Sequence, residues 1–267
     1  MLRCHLSLIL ILLAGAAVAG QTAARATAPA DNEYAAGAIL WMQSSGEARA
    51  LAYQAYQLAR LMLDRDLRLN RRDRRRRAVV VDIDETVLDN SRYQASLVLN
   101  GQKYDAQTWT AWCNRAEAAA VPGAVDFLKH AAARRVRVFY VTNRRPAEKA
   151  GTLANLKRLG FPDVSDETLL LQTDGASKEP RRRKIAERFR IVLLIGDNLN
   201  DFTDVFERQS VASRSAAVDR LRAQFGTRFI VLPNPMYGDW ENAIYDYNFR
   251  LTDEEKAAKR KKLLRGY

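Results

Sequence analysis

Five short apolar runs constrain the fold of this chain more than any other feature. They lie at residues 78–81, 136–141, 169–171, 191–195 and 229–232. Such near-continuous runs of valine, isoleucine and leucine indicate strands buried on both faces of a parallel sheet. Segments with helical patterning lie between them, at residues 122–134, 147–159, 184–188 and 216–224. Strands that alternate with helices predict an α/β fold, with a Rossmann-like parallel sheet flanked by helices.

Polar side chains follow four of these five strands. In open α/β sheets the functional site lies beyond the carboxyl ends of the strands, so we expect these side chains to converge on one crevice. In chain order they are Asp82, Asp84, Thr142, Asn143, Lys178, Asp197 and Asp201.

The chemistry of this crevice follows from its charges. Four aspartates packed together would repel one another, and a divalent cation would relieve that repulsion. Oxygen ligands without histidine favour Mg²⁺. Lys178 and the hydroxyl of Thr142 add a positive charge and a donor for phosphoryl oxygens. One carboxylate can act as a covalent nucleophile, and a second one two residues further on can act as general acid and base. The pattern therefore predicts a phosphoryl-transfer site without histidine.

The scarcity of cysteine and histidine excludes several alternatives. The chain has two of each, and Cys4 and His5 fall in an N-terminal segment that we expect to be removed. Only Cys113 and His130 remain, which excludes a cysteine-cluster zinc or iron–sulfur site and a multi-histidine metal centre. It also excludes phosphatases that use a histidine nucleophile plus a second catalytic histidine. The formal charge of +12 favours anionic partners without singling out nucleic acid.

The motifs resemble those of the haloacid dehalogenase superfamily. Asp-x-Asp-x-Thr at 82–86, Thr142, Lys178 and Gly-Asp-x-x-x-Asp at 196–201 stand in that superfamily's order and after its expected strands. Asp84 resembles the second acid of the phosphatase branch, which the dehalogenases do not need. A closer resemblance, to the class C acid phosphatases, covers most of the chain after residue 19. It is carried by DIDETVLDN from Asp82, WTAW from Trp109, VPGA from Val121, GDNLND from Gly196 and LPNPMYG from Leu232.

The class C enzymes are exported bacterial phosphatases, and some of them are lipoproteins that act as 5′-nucleotidases. The resemblance implies that Asp82 is the nucleophile and Asp84 the acid and base. It implies that Mg²⁺ is held by the side chain of Asp82, the backbone carbonyl of Asp84 and Asp197, with Asp201 in support.

The same resemblance implies the residues that bind the substrate. Thr142 and Lys178 would hold the phosphoryl group, with Asn143 beside them. Members of the family can stack a nucleobase between aromatic rings, which makes Trp112 and Tyr237 candidates here.

The N-terminus has the pattern of a signal peptide. Arg3 precedes an apolar run at residues 6–18, and Ala17 to Ala19 form an Ala-x-Ala cleavage site. The run is 13 residues long, short of the roughly 20 needed to span a bilayer. An uncleaved anchor and a buried helix are the alternatives. Position 20 is glycine, so the cysteine of a lipoprotein is missing there. We therefore expect a periplasmic or secreted protein with no membrane span after cleavage.

The chain divides into five segments. We predict a signal peptide at 1–19, a flexible leader at 20–43, and an N-terminal helix with a basic connector at 44–77. A haloacid dehalogenase-like domain follows at 78–250, and an insertion at about 88–121 forms a small, mainly helical cap. A charged helix occupies 251–267.

Together these features predict an exported, Mg²⁺-dependent acid phosphatase that forms an aspartyl phosphate. The expected partner is a small phosphomonoester, with nucleoside 5′-monophosphates as the family-based substrates and no specific nucleic acid. One alternative is a phosphotransferase of the same fold. The other is a non-catalytic surface protein that binds polyanions through the arginines at 71–77. The sequence does not indicate an oligomeric state.

Overall fold

The computed structural model describes residues 32–267. The strands in this part of the chain are β1 (Arg77–Val81), β2 (Leu88–Asp89), β3 (Ala119–Ala120), β4 (Arg137–Val141), β5 (Leu169–Leu170), β6 (Arg190–Gly196) and β7 (Phe229–Val231). The helices are α1 (Ala36–Ser44), α2 (Gly46–Leu69), α3 (Ser91–Leu99), α4 (Ala106–Arg115), α5 (Ala124–Ala133), α6 (Lys149–Arg158), α7 (Glu179–Ala186), α8 (Val211–Arg220), α9 (Asp239–Ile244) and α10 (Asp253–Leu263).

The five predicted strands form one parallel sheet in the order β5-β4-β1-β6-β7. Their ends agree with the apolar runs to within one residue, which confirms the α/β prediction. The chain passes from β1 outward to β4 and β5, then crosses back to β6 on the other side of β1. Such a reversal opens a crevice at the carboxyl ends of the two central strands.

Helices cover both faces of the sheet. On one face α2 packs beside α5, and Tyr56 and Leu63 of α2 are buried against the strands. The Ser45 side chain caps α2 by accepting a hydrogen bond from the Ala48 amide at 3.0 Å. On the other face α7 covers a smaller core in which the rings of Phe139 and Phe189 meet edge to face at 5.1 Å.

The predicted cap region lies between β1 and β4. It contains α3, α4 and an antiparallel pair formed by β2 and β3. Helix α4 packs closely against α6 because Gly151 has no side chain. A Cβ atom on Gly151 would lie 2.4 Å from the carbonyl oxygen of Cys113, so any larger residue would push the two helices apart.

Two predicted helices and the leader differ from the structure. Helix α7 begins before residue 184 because Pro180 occupies its first turn, and α8 begins before residue 216 because the Ser210 side chain caps it. The prediction of a flexible leader at 20–43 is wrong from Ala36 onward, since α1 begins there and buries Ile39. The apolar side chain of Ile39 stabilises α1 by packing against the rest of the fold.

The predicted C-terminal helix is present as α10. The predicted signal peptide at 1–19 and the leader up to residue 31 lie outside the described residues. Within residues 32–267, no helix combines the length and the apolar character needed to cross a lipid bilayer.

Candidate active site

The carboxyl ends of β1 and β6 bring three of the predicted aspartates together. Asp82 directly follows β1, and its amide donates to the Ile195 carbonyl of β6 at 2.9 Å. Asp197 and Asp201 follow β6. One carboxylate oxygen from each of the three aspartates lies within 4.8 Å of the others. The structure thus places these residues in one acidic cluster, as the strand order requires.

Lys178 neutralises part of this cluster. It precedes α7, and its buried Nζ donates to the carboxylates of Asp82 and Asp201, the second at 2.6 Å. Burial alone would lower the pKa of Lys178, but the two carboxylates outweigh that effect and raise it. The ammonium group therefore stays charged. The nearby Lys184 is exposed on α7 and does not contact the cluster.

The remaining negative charge is unfavourable without a further cation. Burial, together with Asp201 and Asp197, raises the pKa of Asp82 well above its ordinary value, although Lys178 opposes the shift. Burial and the Asp201 carboxylate also raise the pKa of Asp197 to about 7. These shifts mean that the cluster resists full ionisation on its own.

The donors around this cluster fit a divalent metal ion. Asp197 is oriented by the Thr86 hydroxyl at 3.1 Å and by the Asn234 amide at 2.8 Å. The three carboxylates form an all-oxygen donor set, the type that Mg²⁺ prefers. A cation at this position would replace the missing positive charge, so the residues fit the predicted metal.

Asp201 supports the cluster through a close approach of the backbone. Its two carboxylate oxygens accept from Lys178 Nζ and from the Asn198 amide, the latter at 2.9 Å. A Cβ atom on Gly196 would lie 2.2 Å from Asp201 Oδ2. Glycine at position 196 is therefore a geometric requirement for the Asp201 carboxylate to reach the cluster.

Asp84 is held by a residue that the sequence analysis did not single out. Its Oδ1 atom accepts from Nε and Nη2 of Arg144, at 3.0 and 2.8 Å, and from Asn90 Nδ2 at 3.0 Å. Within residues 32–267, its Oδ2 atom accepts only from the Thr142 hydroxyl, at 3.4 Å. Oδ1 therefore has three donors and Oδ2 a single long contact.

Arg144 is 1% exposed and follows β4 by three residues. Burial by itself lowers the pKa of its guanidinium, but the Asp84 carboxylate outweighs this and raises it. A second guanidinium contact runs to the Thr152 hydroxyl at 3.0 Å. In the sequence, Arg144 is the residue after Thr142 and Asn143. No pattern in the neighbouring residues indicated that its side chain would contact Asp84.

Other residues of the site lie inside the motifs that carry the resemblance to the class C acid phosphatases. Asn90 ends the first motif, and Asn234 belongs to the last one. Glu85 is buried in a left-handed conformation with φ of 56°, and its carboxylate accepts from the Asn90 amide at 2.7 Å and from the Tyr237 hydroxyl. Their position in these motifs was the sequence feature that could have identified them. Their contacts with the site could be found only from the fold.

The cluster lies in a cavity of about 720 Å³. Asp82, Asp84, Lys178, Asp197 and Asp201 lie in its wall. Aromatic side chains line the cavity as well, namely Tyr104, Trp109, Tyr237, Tyr247 and Phe249. The space therefore offers charged groups for a phosphate and rings for a larger organic group.

The structure places the predicted substrate-binding residues differently with respect to the cavity. Asn143 lines the cavity, with its Oδ1 held by Arg181 at 2.7 Å. Thr142 is fully buried, and its hydroxyl donates to Asp84 Oδ2 instead of facing the cavity. Trp112, predicted as a base-stacking candidate, does not line the cavity; it packs against the core and its indole N–H donates to Asn90 Oδ1 at 2.8 Å. Trp109, three residues earlier on α4, faces the cavity in its place.

Comparison with known proteins agrees with this geometry. The family model of the HAD superfamily, subfamily IIIB (Acid phosphatase) matches residues 12–240. The class C acid phosphatase from Bacillus anthracis superposes with a TM-score of 0.84 at 44% identity, covering 88% of this chain and 98% of that one. A structure of the class C acid phosphatase from Bacillus anthracis with tungstate bound gives the same TM-score of 0.84, at 43% identity over the same shares of both chains.

Curated relatives are more distant. The chain is 24% identical to a stem 28 kDa glycoprotein of Glycine max, over 73% of this chain and 69% of that protein. It is 26% identical to acid phosphatase 1 of Solanum lycopersicum, over 59% of this chain and 57% of that protein. The matched family and the structural relative are both acid phosphatases, which favours an enzyme over the alternative of a non-catalytic binding protein. The chain therefore belongs to the acid phosphatases of HAD subfamily IIIB and is a phosphomonoesterase.

Proposed function

We propose that this phosphatase depends on Mg²⁺, forms an aspartyl phosphate on Asp82, prefers nucleoside 5′-monophosphates and acts outside the cytoplasm. The observation that carries the proposal is the cluster of Asp82, Asp197, Asp201 and Lys178 in the wall of a cavity lined by aromatic rings.

Three groups would hold the metal ion: the carboxylates of Asp82 and Asp197 and the backbone carbonyl of Asp84. Asp201 keeps its role as a support: one of its oxygens accepts from Lys178 Nζ and the other from the Asn198 amide. When bound, Mg²⁺ neutralises the carboxylates and the phosphoryl oxygens, which lets an anionic nucleophile approach an anionic substrate.

Asp82 then attacks phosphorus, and the bond to the alcohol oxygen breaks. The leaving oxygen takes a proton from Oδ2 of Asp84, the oxygen that Arg144 and Asn90 leave free. In the second half, Asp84 removes a proton from water, which attacks phosphorus and releases Asp82. Throughout, Lys178 supplies a fixed positive charge that needs no rearrangement during the reaction.

The shape and lining of the cavity support nucleotides as substrates. Its volume of about 720 Å³ exceeds the space needed for a phosphate alone. Tyr237 and Trp109 present aromatic rings to the same space as the aspartates. Stacking on aromatic rings binds a base regardless of its identity, which suits a phosphatase acting on several nucleotides.

Export is proposed on the sequence of the N-terminus. The apolar run at residues 6–18 follows Arg3 and precedes the Ala-x-Ala site at Ala17 to Ala19. N-terminal sequencing of the protein secreted from its native host tests this directly, with Gly20 as the expected first residue.

The catalytic proposal is tested by phosphate release from p-nitrophenyl phosphate and from 5′-AMP, with Mg²⁺ or with EDTA. We expect turnover that requires Mg²⁺, and a loss of about three orders of magnitude or more in Asp82→Asn. Asp219→Asn is the matched control, because that side chain is exposed on α8 and should leave activity unchanged. Added nucleoside as an acceptor distinguishes hydrolysis from phosphotransfer.

Each part of the proposal has its own refuting result. Full activity in Asp82→Asn would exclude Asp82 as the nucleophile. Unchanged turnover in EDTA would exclude metal dependence. Equal kcat/KM for 5′-AMP and for ribose 5-phosphate would exclude recognition of the base.

A further inference from the structure

Exposed cations gather at the amino ends of the strands, at the edge of the sheet opposite the active site. They come from three separate elements: the connector between α2 and β1, the turn between α5 and β4, and the end of α7. We call this surface the basic face, and define it by Arg72, Arg74, Arg76, Arg135, Lys184 and Arg188.

The cations of the basic face have no carboxylate partners. Among residues 32–267, none of the six forms an ion pair, whereas their basic neighbours do. Arg77 is paired with Asp66 at 3.0 Å, and Arg137 with Asp163 at 2.8 Å. The guanidinium of Arg76 instead lies over the ring of Phe189, 4.6 Å from its centroid. Asp66 and Asp163 are thus paired with other arginines, and the six cations outnumber Glu187, the exposed acid between Lys184 and Arg188.

Four of the six cations line two adjoining grooves of about 230 and 490 Å³, namely Arg76, Arg135, Lys184 and Arg188. Both grooves share Arg76, Arg137 and Phe189. The acids in their walls are Asp163 and Glu167, and both lie within 4.0 Å of Arg137. A surface with this excess of positive charge attracts an anionic partner.

The surroundings favour a lipid surface over a nucleic acid. Two aromatic rings line the grooves, Phe139 and Phe189. Each residue is only 8% exposed and Arg76 covers Phe189, so neither ring offers a platform for a base. The cations are spread over elements on both sides of the sheet and do not follow one line. Leu69, at the end of α2 beside the connector, is 70% exposed and can insert between headgroups.

We propose that the basic face docks this protein on membranes rich in anionic phospholipid. The five-residue β1 separates this edge from Asp82 by about 17 Å, so the catalytic cavity stays open to solvent when the face is occupied. Docking would hold the enzyme at a surface without blocking its substrate. This inference goes beyond the proposed function and does not depend on it.

The test is co-sedimentation of the full chain with two kinds of vesicle, phosphatidylcholine alone and phosphatidylcholine mixed with phosphatidylglycerol. We expect binding to the anionic vesicles that is lost at high salt, and no binding to the neutral ones. The triple variant Arg72→Glu, Arg135→Glu and Arg188→Glu changes one exposed residue on each element. It should bind about a hundredfold more weakly, because each basic residue near the surface contributes about fivefold.

The matched control is Lys261→Glu, Lys262→Glu and Arg265→Glu, which makes the same change in net charge at exposed residues in the last turn of α10 and just after it. This variant should keep the wild-type affinity to within a few-fold. Both variants should hydrolyse p-nitrophenyl phosphate at the wild-type rate, which shows that they are folded.

Three results would overturn the proposal. Equal loss in the control variant would show that only net charge matters. If the protein bound neutral and anionic vesicles equally well, an apolar segment and not the basic face would be responsible for binding. Binding to duplex DNA through the basic face, with no binding to anionic vesicles, would make nucleic acid the partner.

Discussion

Replacing Arg144 by methionine tests how Asp84 is held. The guanidinium is 1% exposed and supplies two of the three donors on Asp84 Oδ1. In Arg144→Met the carboxylate keeps only Asn90 and Thr142. Breaking a buried ion pair costs about 3–5 kcal/mol. Because the side chain of Asp84 is 19% exposed and water can reach it, we expect the lower end, about 3 kcal/mol.

The same variant should affect catalysis in a way that depends on the leaving group. General acid catalysis contributes about 10²–10⁴-fold to such reactions. A nucleoside alcohol needs the proton from Asp84, whereas p-nitrophenolate leaves readily without it. Arg144→Met should therefore lower kcat for 5′-AMP by at least about tenfold more than kcat for p-nitrophenyl phosphate. A merely structural role would reduce both rates by the same factor.

Urea unfolding and steady-state kinetics on the two substrates provide the measurements. Arg144→Lys keeps the charge but not the forked contact, so it should recover most of the stability and little of the selective loss. The double variant Asp84→Asn with Arg144→Met removes both charges, and should be more stable than Arg144→Met alone. Wild-type stability in Arg144→Met, or an equal loss of kcat on both substrates, would refute the reasoning.

Three further predictions concern the cluster and the cavity. Gly196→Ala should lower the free energy of unfolding, measured by urea denaturation, by about 1–3 kcal/mol and should reduce kcat, because the new Cβ would lie 2.2 Å from Asp201 Oδ2. Wild-type stability and kcat would show that the loop adapts. Burial raises the pKa of Asp197 to about 7, whereas an unfolded aspartate has a pKa of about 3.9. In EDTA, the free energy of unfolding should therefore fall as the pH rises between these two values, by at most about 4 kcal/mol. Asp197→Asn should flatten that dependence in urea unfolding, and an unchanged slope would contradict it. Trp109→Ala should raise KM for 5′-AMP more than KM for p-nitrophenyl phosphate, because Trp109 lines the cavity. Trp112→Ala should mainly lower the free energy of unfolding, because its indole N–H donates to Asn90. The reverse pattern would make Trp112 the residue that stacks on the base.

The strands were predictable because they are buried on both faces. A residue inside such a strand must be apolar whatever surrounds it, so the pattern is local and its ends agree with the structure to within one residue. The polar helices were less predictable. Helix α7 contains Arg181 to Lys184 in succession and shows little apolar periodicity. Its true start was nevertheless signalled by Pro180, just as the start of α8 was signalled by Ser210.

The catalytic groups were predictable from where they stand along the chain. Parallel strands end at one edge, so Asp82, Asp197 and Asp201 had to meet once the strand order was assumed. The sequence also indicated Lys178, and the structure distinguishes it from the basic residues that follow it closely. Only Lys178 sits at the start of α7 with its Nζ on the cluster, while Arg181 turns to the carbonyl of Thr142.

By itself the sequence determined the α/β fold, the positions of the strands and the order in which the acidic residues reach the site. All of these depend on local patterns and on the rule that parallel strands share one functional edge. The tertiary structure alone decided that Trp109 rather than Trp112 faces the cavity, and that Arg144 holds Asp84 from 60 positions away. The rotation of a helix and the partner of a buried charge depend on packing between distant segments, and no local pattern encodes that packing.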